Sequence, residues 1–213
     1  MAVAMGILIV VLGGSYYGLL FLFDLLLFLV LSAVVTRIGR ISKQGIGVYE
    51  AGRGWKNVLA NGAVPVVVVA TYWLNLTYQF LPTYALVMAY IASVCAIIAD
   101  KFASEIGVLD GEPTMLLTFK KTKKGVSGGV TGIGLLASLI GSAIIGISVF
   151  AVPGGSILVA AIVVLCGFLG NLVDSVFGYY EEEGVGNKFT SNFFCSVAGF
   201  LICLLLLIAL GLA

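Results

Sequence analysis

Along the chain, continuously apolar runs of twenty residues or more alternate with short windows in which the charged residues collect. Two uncharged stretches, Val58 to Ala99 and Gly125 to Val173, are each long enough for two membrane-spanning helices of about twenty residues. Turn chemistry divides each near its middle. Asn75 to Thr83 contains Pro82, and Val152 to Ser156 contains Pro-Gly-Gly, neither of which continues a helix. Each stretch is therefore predicted to be a helical hairpin. Single spans at Tyr16 to Thr36 and Phe189 to Leu210 complete six helices, and Met1 to Gly13, too short to cross squarely, is a candidate seventh, tilted or partial span. Barrel strands would instead show roughly ten-residue segments of alternating polarity. The pattern predicts an all-α, polytopic integral membrane helical bundle of six or seven transmembrane helices, a single domain over residues 1–213.

Composition closes off the soluble alternative. Apolar residues make up 61% of the chain and charged ones 10%, mean hydropathy is +1.18, and soluble domains carry about 25% charged residues. The two hairpins bring the windows near 37–57, 100–124 and 174–188 to one face, and these hold all eleven Lys and Arg, whereas the opposite connections carry no charge. By the positive-inside rule the charged face is cytoplasmic, and any active site built there faces the cytoplasm. A net charge of +1 gives no reason to expect a nucleic-acid partner; the expected surroundings are membrane lipids. No residue is His, so proton chemistry falls to carboxylates, Lys, Tyr or thiols. Cys95, Cys166, Cys195 and Cys203 lie inside apolar runs without metal-ligand spacing and read as small buried hydrophobes. Of ten acidic residues only Asp24 falls outside the charged windows. A carboxylate at mid-membrane costs about 2.5–3.5 kcal/mol on insertion scales, which argues for a helix-pairing or functional role.

Candidate chemistry sits at the charged face. Asp100, Glu105 and Asp174 are candidate hard-cation ligands for Mg²⁺, Asp100 and Glu105 reaching one ion if the chain unwinds between them; the competing reading is interfacial anchoring. Four lysines, including Lys121 and Lys124, run into Gly125-Val-Ser127-Gly128-Gly129 at the start of an uncharged helix. Consecutive backbone N–H groups there suit an anion cradle. A positive-inside tract with Ser127 as helix cap fits equally well, and the order of lysines and glycines is not that of a P-loop. Arg53, Asn57 and Asn61 form a polar line entering the next span, while Asn171, Asp174 and Ser175, and then Ser191 and Asn192, crowd other helix ends. There is also a faint internal echo, Asp100 followed by Gly107 and Asp174 followed by Gly178.

These residues carry a resemblance. Arg53-Gly-Trp-Lys-Asn-Val-Leu-Ala-Asn61-Gly62, Ala99-Asp100-Lys-Phe-Ala-Ser104-Glu105-Ile-Gly107, Gly125-Val-Ser127-Gly128-Gly129, Gly167-Phe-Leu-Gly170-Asn-Leu-Val-Asp174-Ser175-Val-Phe-Gly178 and Ser191-Asn192 occur in the order seen in the phytyl-phosphate kinase family, which the chain resembles from about Thr36 onward. Lys101 departs from that pattern, where a small polar residue is usual. The resemblance implies phosphoryl transfer from a nucleoside triphosphate, CTP above all, to a prenyl monophosphate such as phytyl or geranylgeranyl phosphate. It implies catalytic roles for Asp100, Glu105, Asp174 and Lys124, with Mg²⁺ on the three carboxylates. Nucleotide or lipid phosphate would be bound by Arg53, Asn57, Asn61, Lys121, Ser127, Gly128, Gly129, Ser175 and Asn192. A CTP-dependent cytidylyltransferase making a CDP-lipid would use a similar constellation. A secondary transporter would place ionisable groups near the midplane, where only Asp24 lies.

Overall fold

The computed structural model describes residues 1–14, 16–49 and 55–213, without the side chains of residues 55–57. In chain order the elements are α1 (Ala2–Gly13), α2 (Tyr17–Arg37), α3 (Arg40–Gly45), α4 (Trp55–Tyr78), α5 (Thr83–Gly107), β1 (Thr114–Met115), β2 (Gly129–Val130), α6 (Gly132–Gly146), α7 (Ile157–Glu182) and α8 (Lys188–Ala209), with a 3-10 turn, Ile147–Ala151, prolonging α6. Among the described residues, α2 and α4 to α8 are long and apolar enough to cross a membrane, the α6 span including its 3-10 extension; α1, at 12 residues, is shorter. Both predicted hairpins are present. The Asn75 side chain closes the first, its Nδ2 donating to the Leu81 carbonyl at 2.9 Å and its Oδ1 accepting from the Leu81 N–H at 2.8 Å. Ser156 ends the second by accepting the Val159 N–H, one of the amides left unpaired at a helix start.

Helix α5 is the axis of the bundle, packing on α2, α4, α6, α7 and α8, and 89% of its apolar window is buried. Small residues make this possible. A Cβ at Gly170 would come within 2.7 Å of both the Ala96 Cβ and the Cys195 carbonyl oxygen, one at Gly199 within 2.8 Å of the Ala92 carbonyl, and one at Gly134 within 3.1 Å of the Ala103 carbonyl. In lipid there is no hydrophobic force between helices, so such backbone approach, through van der Waals packing, holds α5 to α8 together. Asp24 lies fully buried on α2, and its Oδ2 accepts the Ser148 hydroxyl at 3.3 Å, tying α2 to the turn after α6. Asp24 thus makes a helix-pairing contact.

Three sequence expectations change. Much of the charged windows is helix, because α5 runs to Gly107 and α7 to Glu182, so Asp100, Glu105 and Asp174 sit on helix faces. The 37–57 window contains α3, whose Lys43 is only 1% exposed: its ammonium donates to the Thr36 carbonyl at 3.0 Å and to that of Val35 at 3.4 Å, capping the C-terminus of α2. The cap of α6 is Thr131, which accepts from Gly134 N, in place of Ser127. Ahead of it the α5–α6 connection folds back as a two-stranded antiparallel ribbon pairing Thr114 with Val130 and Met115 with Gly129.

Candidate functional site

At the charged end of the bundle a cleft of about 420 Å³ opens between α5, α7, the start of α8 and the glycine-rich connection. Asp100 on α5 and Asp174 on α7, 7% and 4% exposed, face one another across its floor. Their carboxyl groups are near enough to interact directly. Between them comes a cation that the motif reading passed over: Lys188, first residue of α8, places its Nζ 3.1 Å from Asp174 Oδ2 and 3.8 Å from Asp100 Oδ1. One ammonium thus serves two carboxylates, and the cluster keeps a formal charge of −1. Asp174 Oδ1 is buried without a hydrogen-bond partner, as is the Nδ2 of Asn171, one helical turn earlier on α7. Buried polar atoms without a protein partner are costly, so each calls for a water, an ion or a ligand group.

Glu105 does not join this pair. Five residues along an unbroken helix amount to about 140° of rotation, so Asp100 and Glu105 face different neighbours. The chain does not unwind between them, and the expectation that one ion reaches Asp100, Glu105 and Asp174 together is revised: among the described residues no group of three or more His, Cys, Asp or Glu is placed to hold a metal ion. Glu105 instead accepts from Lys43 Nζ at 2.6 Å, from the Thr36 hydroxyl at 2.9 Å and from Lys101. This second cluster lines another wall of the cleft and holds two lysines beside it. Lys101, the departure in the motif, is thereby positioned by its i+4 neighbour.

The glycine-rich loop behaves differently from the expected cradle. Ser127 does present an anion site, but the protein's own acids occupy it: its N–H donates to Glu182 Oε1 at 2.8 Å and its hydroxyl to Glu181 Oε2 at 3.2 Å. The Gly129 N–H is used within the turn, on the Val126 carbonyl. Gly128, at φ 79°, lies against the backbone of α7, where an added Cβ would meet Tyr179 N at 2.6 Å and the Ser175 carbonyl at 2.7 Å. Its partner on α7 is Gly178, and Gly107 on α5 receives Thr131 and Gly134 in the same way. The echo of Asp followed by Gly has this physical content: each helix carrying a cleft aspartate has in its last turns a glycine against which the α5–α6 connection or the start of α6 packs.

The remaining expected residues divide. Lys124, Ser127, Gly128, Gly129 and Ser175 line the cleft. Lys121 donates from its ammonium to the Glu112 carbonyl at 3.3 Å and is not among the residues lining the cleft. Asn192 Nδ2 reaches Asn61 Oδ1 at 3.4 Å, joining α8 to α4 beside the cleft. Arg53 and the side chain of Asn57 lie outside the described residues.

An oxygen-only donor set around a buried pair of carboxylates is what a hard divalent cation takes. Asp100 and Asp174 would offer two carboxylates to such an ion, the unpartnered Oδ1 of Asp174 among their oxygens, once the Lys188 ammonium between them gives way. Lysines 43, 101, 124 and 188 line the same cleft together with five carboxylates, Asp100, Glu105, Asp174, Glu181 and Glu182, so a polyanion fits it only when a cation accompanies it. Carboxylates on the floor and lysines on the walls can accommodate phosphates together with their counter-cation.

No solved structure matches the chain. Among curated proteins it is similar to the uncharacterized membrane protein MJ0933 of Methanocaldococcus jannaschii, 34% identical over 200 residues that cover 90% of this chain and 78% of that protein. It is also similar to Protein PGR of Arabidopsis thaliana, 33% identical over 189 residues that cover 78% of this chain and 64% of that protein. The family profile described as "Integral membrane protein DUF92" matches residues 1–207, which is nearly the whole bundle and every element that lines the cleft. The chain belongs to the DUF92 family of integral membrane proteins.

Proposed function

We propose that this protein is a membrane kinase that transfers a phosphoryl group from a nucleoside triphosphate, CTP above all, to a prenyl monophosphate such as phytyl or geranylgeranyl phosphate. The observation that carries the reading is the Asp100–Lys188–Asp174 cluster on the floor of a cleft lined by lysines and carboxylates at the charged end of the bundle. The order of sequence signatures shared with phytyl-phosphate kinases supplies the substrate class. The positive-inside distribution supports a cleft on the cytoplasmic face, where nucleotide is available.

In this reaction an oxygen of the prenyl phosphate bonds to the γ-phosphorus while the bridging oxygen between β- and γ-phosphorus departs with the nucleoside diphosphate. The acceptor oxygen is already ionised near neutral pH, so no strong base is required and the aspartates are free to serve charge. Asp100 and Asp174 would hold Mg²⁺, which when bound neutralises phosphate charge. Lys188 keeps the two carboxylates in register and offers its ammonium to a phosphate oxygen entering between them. Lys101 and Lys43, anchored on Glu105, supply fixed positive charge on the opposite wall. Because phosphoryl transfer is largely positioning and electrostatics, lysines fixed by ion pairs and a water-poor floor are the contributions the chain must make. The Asn171 amide, buried with its Nδ2 unpartnered, is a ready donor to the same anion.

The test uses purified protein in sealed vesicles with Mg²⁺, CTP, ATP, GTP or UTP, and phytyl or geranylgeranyl phosphate. Prenyl diphosphate and nucleoside diphosphate are expected, and only where nucleotide reaches the charged face. Pyrophosphate with a CDP-lipid would instead identify a cytidylyltransferase, and absence of any new lipid with every nucleotide would end the kinase reading.

A further inference from the structure

On the other side of the bundle, α1, α2 and α4 enclose a groove of about 530 Å³, inside the range of about 300–1,000 Å³ usual for ligand pockets. Its walls are apolar, mostly aliphatic, with Ile7 and Val11 from α1, Leu26 and Leu29 from α2 and Val58 from α4, and among the described residues its one polar lining residue is Asn61. Ile7, Val11 and Leu26 at the rim are exposed, so the groove opens sideways, in the direction a bilayer lipid would enter. Pro65 lies one turn beyond Asn61 and has no N–H to give to the carbonyl of residue 61, so α4 is weakened at the level of the groove.

What distinguishes this groove from an ordinary lipid-facing furrow is its connection to the cleft. Asn61 Oδ1 accepts from Asn192 Nδ2. Asn192 lies four residues after Lys188, hence on the same face of α8 one turn deeper, and Lys188 holds Asp100 and Asp174. A polar path therefore runs from the carboxylate pair along one face of α8 and ends where the apolar walls begin. Asn192 Oδ1 on that path is buried without a partner, which marks the junction as a place where a polar group is still to arrive.

We infer that this groove seats the hydrocarbon chain of a phosphorylated isoprenoid whose phosphate lies in the cleft; the inference deepens the proposed kinase reading and rests on it. A lipid chain gains no hydrophobic free energy on leaving the bilayer for a groove lined by Leu and Val, because lipid tails are equally apolar. Selection must come from shape. The groove accordingly discriminates chains by branching and length, and the phosphate provides the address.

The experiment places a geranylgeranyl phosphate with a diazirine at the chain terminus on wild-type protein in nanodiscs, followed by photolysis and peptide mapping. Adducts are expected on the segments from Ala2 to Val11, Leu22 to Leu29 and Val58 to Gly62, and unlabelled geranylgeranyl phosphate should compete them away while phosphatidylcholine should not. Adducts confined to other helices, or equal competition by phosphatidylcholine, would overturn the inference. As a second arm, Ile7→Trp and Leu26→Trp, both at the exposed rim, should lower kcat/KM for geranylgeranyl phosphate relative to geranyl phosphate by about tenfold or more. An unchanged ratio in properly folded variants speaks against the seat. Adducts in the groove without phosphoryl transfer sink the kinase reading and leave the chain seat standing, and transfer with adducts elsewhere does the reverse.

Discussion

The four C-terminal helices and the N-terminal four share one bundle but pack by different means. Around α5, helices α6 to α8 approach backbone to backbone at Gly134, Gly167, Gly170 and Gly199, and this half presents the carboxylates and Lys188 of the cleft. On the N-terminal side, beyond the close approach of Gly13 to Gly18 where α1 turns into α2, the contacts are made by rings and long side chains: Phe21 stands 4.2 Å from Tyr90 and 5.6 Å from Tyr72 between centroids, and Tyr90 donates to the Phe21 carbonyl at 2.6 Å. Side chains as spacers leave room, and the groove between α1, α2 and α4 is that room. Glycine contacts fix ionic groups to within the tolerance that charge chemistry needs. Ring and aliphatic contacts permit a shaped space for an apolar chain.

The largest effect that would sharpen this contrast is electrostatic. Asp174→Asn and Asp100→Asn keep shape and remove charge, so each is expected to lower Mg²⁺-dependent turnover by about 10²–10³-fold, the scale of losing one preorganised group at a site of charge development. The remaining carboxylate still pairs Lys188, so both variants should stay folded, as thermal unfolding in detergent will show. Turnover within tenfold of wild type for both would reduce the pair to interfacial anchors.

A packing test comes next. Gly199→Ala drives a methyl to 2.8 Å from the Ala92 carbonyl oxygen, a backbone atom that cannot step aside, and overpacking of this kind costs about 1–3 kcal/mol. Gly62→Ala meets the Met5 sulfur at 2.9 Å, the far end of a flexible side chain, and the helix gains about 0.5–1 kcal/mol from losing a glycine. The first should lower the unfolding temperature clearly and the second leave it nearly in place. Equal shifts would erase the distinction between the halves.

The smallest predicted effect lies at the mouth of the cleft. Glu181 and Glu182 occupy the Ser127 donors, so an incoming phosphate must displace them. In Glu181→Gln with Glu182→Gln the competition weakens, and KM for the phosphorylated substrate should fall about two- to fivefold, the scale of an exposed charge contact under 1 kcal/mol. A KM that rises would show the glutamates to be part of the binding surface.

The spans and both hairpins were legible because apolar run length and Pro-Gly chemistry are local signals. Asp100 and Asp174 could be found for a related reason: charged groups are so scarce in this chain that each one at a helix end stands out. The separation of Glu105 from Asp100 was legible too, since five residues on a continuous helix lie about 140° apart. Lys188 was not legible. A lysine at the cytoplasmic end of a span has an ordinary explanation as a topology anchor, and only the meeting of α8 with α5 and α7 turns it inward. The same holds for Gly128, whose need for glycine comes from Gly178, fifty residues away in sequence and in contact only after folding. Lys43 would be sent to solvent by its charge; its burial depends on the carbonyls at the end of α2 and on Glu105.

The position of Lys188 on the last helix has a consequence for how the chain is made. Asp100 and Asp174 enter the membrane end of the bundle with α5 and α7, and the ammonium that joins them arrives only when α8 follows. Until then two carboxylates lie side by side with no cation from the chain between them, an arrangement that strongly disfavours close approach of their helices. The cluster is therefore complete only once α8 is in place, since its two carboxylates come from α5 and α7 and its bridging ammonium from residue 188.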